Sequence, residues 1–124
     1  MKILNPKTIA SPGQGYSQGI AANGAVYVAG QVAVAADGKI MGTGDIAVQT
    51  RQTLENVRGV LAEGGMALSD IVSATVYIKS LADYPAFAQT WCAVFGEHRP
   101  ARATVKADLV HPDLLIEIQA IAVR

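Results

Sequence analysis

Leu114-Leu115-Ile116-Glu117-Ile118-Gln119-Ala120-Ile121-Ala122-Val123, close to the C-terminal end, alternates with a strict period of two. Leu114, Ile116, Ile118, Ala120 and Ala122 fall on one side, and Leu115, Glu117, Gln119 and Ile121 on the other. A wholly apolar face belongs under helices. The opposite face mixes aliphatic side chains with a carboxylate, so it suits neither open water nor a dry core, and it calls for a second protein surface. One strand thus predicts a sheet covered by helices on one side and by another subunit on the other.

Upstream, Arg102 to Asp108 is a second β-like run, separated from the first by Leu109-Val110-His111-Pro112-Asp113. The two read as a hairpin turning near His111. In that register Arg102, Thr104, Lys106 and Asp108 share a face with Glu117, and Arg102 and Glu117 become diagonal neighbours, roughly 7 to 8 Å apart at the backbone.

The remaining elements alternate in type. Tyr84, Phe87, Trp91 and Val94 or Phe95 recur at helical spacing, with Ser80 or Asp83 to cap the start, Pro85 in the first turn and Gly96 to close it. Ile71 to Lys79 alternates as a half-buried strand, with Val72, Ala74, Val76 and Ile78 inward. From Asp45 to about Glu63, Ala47, Thr50, Leu54, Val57 and Leu61 form an apolar stripe. Thr43 or Asp45 can cap that helix, Gly64-Gly65 ends it, and Gly59 within it predicts close packing against the sheet. Tyr16–Ala22 and Ala25–Gly30 form a hairpin through Asn23-Gly24, a dipeptide that accepts the two positive φ angles of a type I′ turn. The order β-β-α-β-α-β-β predicts one α+β domain over residues 1–124, a single sheet with both helices on one face.

Composition narrows the function. The chain has 124 residues with ten Lys+Arg against ten Asp+Glu, so the basic surplus of a nucleic-acid binder is missing and no nucleic-acid partner is expected. Hydrophobic residues make up 51% and charged ones 16%, which excludes a disordered chain and predicts an oligomer. Cys92 is the single cysteine, Met1–Lys7 has no signal-peptide pattern, and no apolar run is long enough for a membrane span. A reducing, cytoplasmic setting is expected.

Glu117, flanked by Leu115 and Ile121, is the residue most suggestive of chemistry. A carboxylate among apolar side chains is costly unless paired, and one facing a ligand can activate water. Two readings stand side by side at this level: a structural Arg102–Glu117 ion pair, or a ligand site built on the same two residues. His98 and His111 read as surface loop residues, and no residues stand at metal-ligand spacing. Cys92 reads as a small core filler, and Tyr84, Phe87, Trp91 and Phe95 as core. Gly42-Thr43-Gly44 lacks the pattern of a nucleotide-binding loop. Tyr16 ends a Gly-rich loop, where its phenol either faces a pocket or caps the hairpin.

Tyr16-Ser17-Gln18-Gly19-Ile20, Val26-Tyr27-Val28-Ala29-Gly30-Gln31-Val32, Gln52-Thr53-Leu54-Glu55-Asn56-Val57, Pro100-Ala101-Arg102-Ala103-Thr104-Val105 and Ile116-Glu117-Ile118 together resemble the Rid (reactive intermediate deaminase, YjgF-like) family over nearly the whole chain. The resemblance implies a chorismate-mutase-like fold assembled as a homotrimer, with ligand pockets between subunits. It implies hydrolysis of reactive enamines and imines, of the 2-aminoacrylate type, to 2-oxo acids and ammonia, without a metal or organic cofactor. Non-catalytic binding of small carboxylates in the same pocket is the alternative. By the same resemblance Arg102 holds the substrate carboxylate, Glu117 positions the attacking water, Tyr16 lines the pocket, and the backbone near Gly30 and Thr104 holds the imine. The archetypal Cys of the family is Thr104 in this chain, a frequent Asn is Ala88, and the Gly96–Pro100 connection is short.

Overall fold

In the computed structural model, which describes residues 1–124, backbone ladders join six strands into one sheet. These are β1 (Lys2–Leu4), β2 (Gly19–Ala22), β3 (Ala25–Val32), β4 (Ile71–Ile78), β5 (Ala101–Lys106) and β6 (Ile116–Val123), in the spatial order β1-β2-β3-β6-β4-β5. Two helices, α1 (Ile46–Glu63) and α2 (Tyr84–Phe95), pack on one face. The expected element order holds, with β1 added at the start. Lys2-Ile3-Leu4 is too short to be recognised alone and is a strand only because β2 offers it a free edge.

Local chemistry accounts for most boundaries. Asn23 and Gly24 adopt φ of 52° and 78°, and the β2–β3 hairpin turns there. Tyr16 and Ser17 stay outside it. The Asp45 carboxylate accepts from the Val48 amide at 3.1 Å and caps α1. At the other end Gly65 takes a φ of 76° and the Met66 amide donates back to the Leu61 carbonyl. Ser80 caps a short 3-10 turn, Leu81–Asp83, that leads into α2, while the Asp83 side chain makes no cap bond.

Several expectations are corrected. Gly59 packs against Thr8 and Ile9 of the N-terminal segment and not against the sheet. Val72 points out, because a bulge between Ile71 and Ser73 inserts one residue and restarts the alternation at Ala74. The largest correction concerns the last two strands, which do not form a hairpin. β6 pairs antiparallel with both β3 and β4, whereas β5 pairs parallel with the far side of β4, Ala74 opposite Arg102 and Val76 opposite Thr104. The physical reason is the connection: β4, α2 and β5 make a strand–helix–strand crossover, which brings β5 back parallel to β4 and leaves β6 to fill the gap between β3 and β4. The apolar face of β6 does lie under the helices: Ile116, Ile118, Ala120 and Ala122 are all buried, as is Leu114 just before the strand. No helix is long and apolar enough to cross a membrane.

Candidate functional site

Glu117 sits near the middle of the sheet, on the face away from the helices. It pairs with Val32 of β3 and Tyr77 of β4. Next to it the β3–β6 register shifts between Val28 and Gln31, so Ala29 and Gly30 leave the ladder. The Glu117 carboxylate lies directly over Gly30, where a Cβ would collide with Oε2. Burial raises the Glu117 pKa above its ordinary 4.5. On its other side Glu117 shares a groove of about 270 Å³ with Tyr77, Gln119 and the segment Ala107–Val110.

Gly30 also lines a cavity of about 150 Å³ with Tyr16, Ser11, Gln18, Gln31 and Asn56. Buried amides hold this corner in shape, and the sequence reading gave them no role. Gln31 Nε2 donates to Gln18 Oε1 at 2.7 Å and to the Ala29 carbonyl at 3.1 Å, while Gln18 Nε2 donates to the Ala10 carbonyl at 3.1 Å. Asn56 Nδ2 donates to the carbonyls of Val32 and Val34, both at 2.9 Å, tying α1 to the end of β3. The signal was present in Tyr16-Ser17-Gln18, Gly30-Gln31 and Glu55-Asn56, since a Gln or Asn inside an otherwise apolar pattern must find partners if buried.

Arg102 lies elsewhere. Its side chain projects to the helix side of β5, where the guanidinium carbon stands 5.1 Å from the ring centroids of both Phe87 and Trp91. Nη2 donates to the Tyr84 hydroxyl at 3.0 Å. No carboxylate pairs with it: the ion pairs of the chain are Arg58–Glu55 and Arg124–Asp70. A cavity of about 280 Å³ opens beside it, lined by Trp91, Cys92, Phe95, His98 and Arg99. Thr104 follows Arg102 on the same side of the strand, opposite Val76.

Arg102 and Glu117 are therefore not diagonal neighbours, and no ion pair joins them. They lie on opposite faces, two strand spacings and three register positions apart with β4 between them, on the order of 14 Å at the backbone. The candidate residues form two half-sites within one chain: Tyr16, Gly30 and Glu117 in one, Arg102 and Thr104 in the other. Cys92 is exposed and not a core filler, and Tyr84 is 40% exposed. His98 is half-buried, with Nε2 at 2.7 Å from the Ile71 carbonyl. The His, Cys, Asp and Glu side chains form no group of three that could hold a metal ion.

Comparison with known proteins is consistent across three kinds of match. The family model described as Endoribonuclease L-PSP matches residues 7–124. The chain is 36% identical to the 3-aminoacrylate deaminase RutC of Acinetobacter baylyi over 98% of this chain and 96% of that one. It is 39% identical to a RutC family protein of Pyrococcus horikoshii over 86% of this chain and 85% of that one. Among solved structures, the YjgF gene product of E. coli superposes with a TM-score of 0.92 at 34% identity, covering 100% of this chain and 99% of that one. E. coli TdcF, solved with bound serine, gives 0.92 at 31% identity over 100% and 99%. Match and motif agree, from Tyr16-Ser17-Gln18 to Ile116-Glu117-Ile118, and the chain belongs to the endoribonuclease L-PSP family, the YjgF-like Rid family.

Proposed function

We propose that this chain hydrolyses small reactive imines and enamines to 2-oxo acids and ammonia, in pockets completed by a second copy of itself. One observation carries the reading: the same chain holds a half-buried arginine without a carboxylate and a desolvated carboxylate without a cation, yet keeps them apart. An ion pair that served only stability would join them. Exposed Tyr27 and Val105, with half-buried Tyr77 and Ile121, give the face around Glu117 an apolar character that suits burial against partner subunits in a homotrimer. The deaminase activity named for RutC and the serine bound to TdcF support a small carboxylate-bearing ligand.

In this reading Arg102 binds the substrate carboxylate through its planar fork, which stays charged at any physiological pH. An enamine first takes a proton on carbon to become the imine. Glu117 of the neighbouring copy accepts a proton from water as the oxygen bonds to the imine carbon. That proton passes on to the nitrogen to give the amino alcohol, whose hydroxyl proton then follows it to the nitrogen through Glu117, so that ammonia leaves as the carbonyl of the 2-oxo acid forms. Tyr16 closes the Gly30 side, and the backbone at Gly30 and Thr104 orients the imine. The balance needs water alone, so no metal or organic cofactor is called for, and a cytoplasmic setting suits the free thiol of Cys92. Equal numbers of acidic and basic residues favour a small-molecule ligand over RNA.

The test is to generate an imine in place with an amino-acid oxidase or dehydratase and follow its disappearance. The protein should accelerate imine loss, and Glu117→Gln should lower kcat on the order of 10² to 10⁴-fold. Binding of 2-oxo acids without any acceleration would instead make the chain a carboxylate-binding protein. Parental turnover by Glu117→Gln would remove Glu117 from the chemistry.

A further inference from the structure

Arginine presents five N–H donors and accepts nothing. In this chain the faces of Phe87 and Trp91 flank the guanidinium, and one donor, on Nη2, is spent on the Tyr84 hydroxyl at 3.0 Å. Because the Tyr84 oxygen accepts in that bond, its own proton points elsewhere, and no acceptor in the chain takes it. The Tyr84 ring lies against Phe87, tilted, with centroids 6.0 Å apart, and this contact steadies the hydroxyl beside Arg102. An acidic side chain at this position would neutralise Arg102. A phenol orients it and leaves its charge intact.

We infer that Tyr84 is a specificity-determining residue of the ligand site: it fixes the Arg102 fork and adds its own O–H to a donor-only clamp that accepts a carboxylate and rejects a neutral carboxamide. This rests on the reading of Arg102 as the carboxylate anchor. The selectivity follows from the inventory of groups. A carboxylate presents an acceptor oxygen to the fork and another to the hydroxyl, whereas a carboxamide presents one oxygen and turns an NH₂ group toward the remaining donors, which stay unpaired. The position is on the first turn of α2 and carries a hydroxyl that the aromatic packing of that helix does not use.

Trp91, the single tryptophan, stands 5.1 Å from the Arg102 guanidinium and provides a fluorescence readout of occupancy. Pyruvate, the simplest 2-oxo acid, and pyruvamide serve as probes, titrated against the parent protein, Tyr84→Phe and Arg102→Lys, with Tm recorded for each. The parent should prefer pyruvate. Tyr84→Phe keeps the ring and should lose about tenfold in pyruvate affinity while pyruvamide changes by less than about twofold, at unchanged Tm. Since both probes are measured on the same variant, a general loosening of the fold would weaken them together and would count against the inference. A Tyr84→Phe protein with the parental preference overturns the role of Tyr84 alone, provided Arg102→Lys still loses pyruvate. If Arg102→Lys also binds pyruvate like the parent, or the parent shows no preference, the anchor role of Arg102 falls and Tyr84 falls with it.

Discussion

A methyl group at position 30 has no room, because its Cβ would meet the Glu117 carboxylate. Gly30 does not have a positive φ, so Gly30→Ala would strain no backbone torsion and would act by displacing Glu117. Its kcat should fall on the order of 10- to 100-fold, since misplacing a catalytic group by about 1 Å costs that much, with little change in Tm. Kinetics and thermal melts on one preparation check both halves of that expectation. Glu117 also carries a pH signature. Its folded pKa is raised, so between 4.5 and that higher value the folded chain holds more proton than the unfolded one. The contribution of Glu117 to stability is then greatest below 4.5 and is lost as pH rises through the folded pKa. Glu117→Gln should flatten this decline in melts run across pH, and the acid limb of kcat/KM in the parent should lie above 4.5.

Among the elements, the seam between α1 and the end of β3 depends on Asn56, which satisfies the carbonyls of Val32 and Val34. Asn56→Ala should cost about 2 kcal/mol in urea unfolding, because both carbonyls lose a partner in a partly buried setting. Element existence was readable in the sequence wherever a cap, a turn or a period was local: Asp45 before α1, Asn23-Gly24 in the hairpin, the alternation of β6. What escaped was pairing. The segment 109–113 reads as a hairpin loop by composition, and nothing within it states that β4 has already claimed β5 through α2. A strand–helix–strand order was the available signal, and it was outweighed by the nearness of two β-like runs. The site followed the same division. Arg102 and Glu117 stood out as a charged pair of residues in apolar strands, but their supposed contact depended on the hairpin and disappeared with it. Gln18, Gln31 and Asn56 escaped because their partners are backbone atoms and each other, and no spacing rule announces those.

For the molecule as a whole, two half-sites on opposite faces support the proposal that the assembly is the functional unit. Light scattering should return a mass near three chains, and mixing offers a sharper check. Arg102→Ala and Glu117→Gln proteins, each inactive, should regain up to about a quarter of parental activity when unfolded and refolded together, because in random assemblies about one pocket in four receives both native halves. Absence of any recovery from an efficiently mixed trimer would place the whole site within one chain. The strand order adds a mechanical asymmetry. β6 is laddered on both sides, by β3 and β4, whereas β5 is an edge strand held by β4 alone. The free energies of local opening differ accordingly: freeing Glu117 requires two ladders to part, and freeing Arg102 requires one. In the proposed reaction, ligand entry and departure can then draw on fluctuations of the rim without disturbing Glu117 at the centre, so residence time and chemical rate are open to independent tuning.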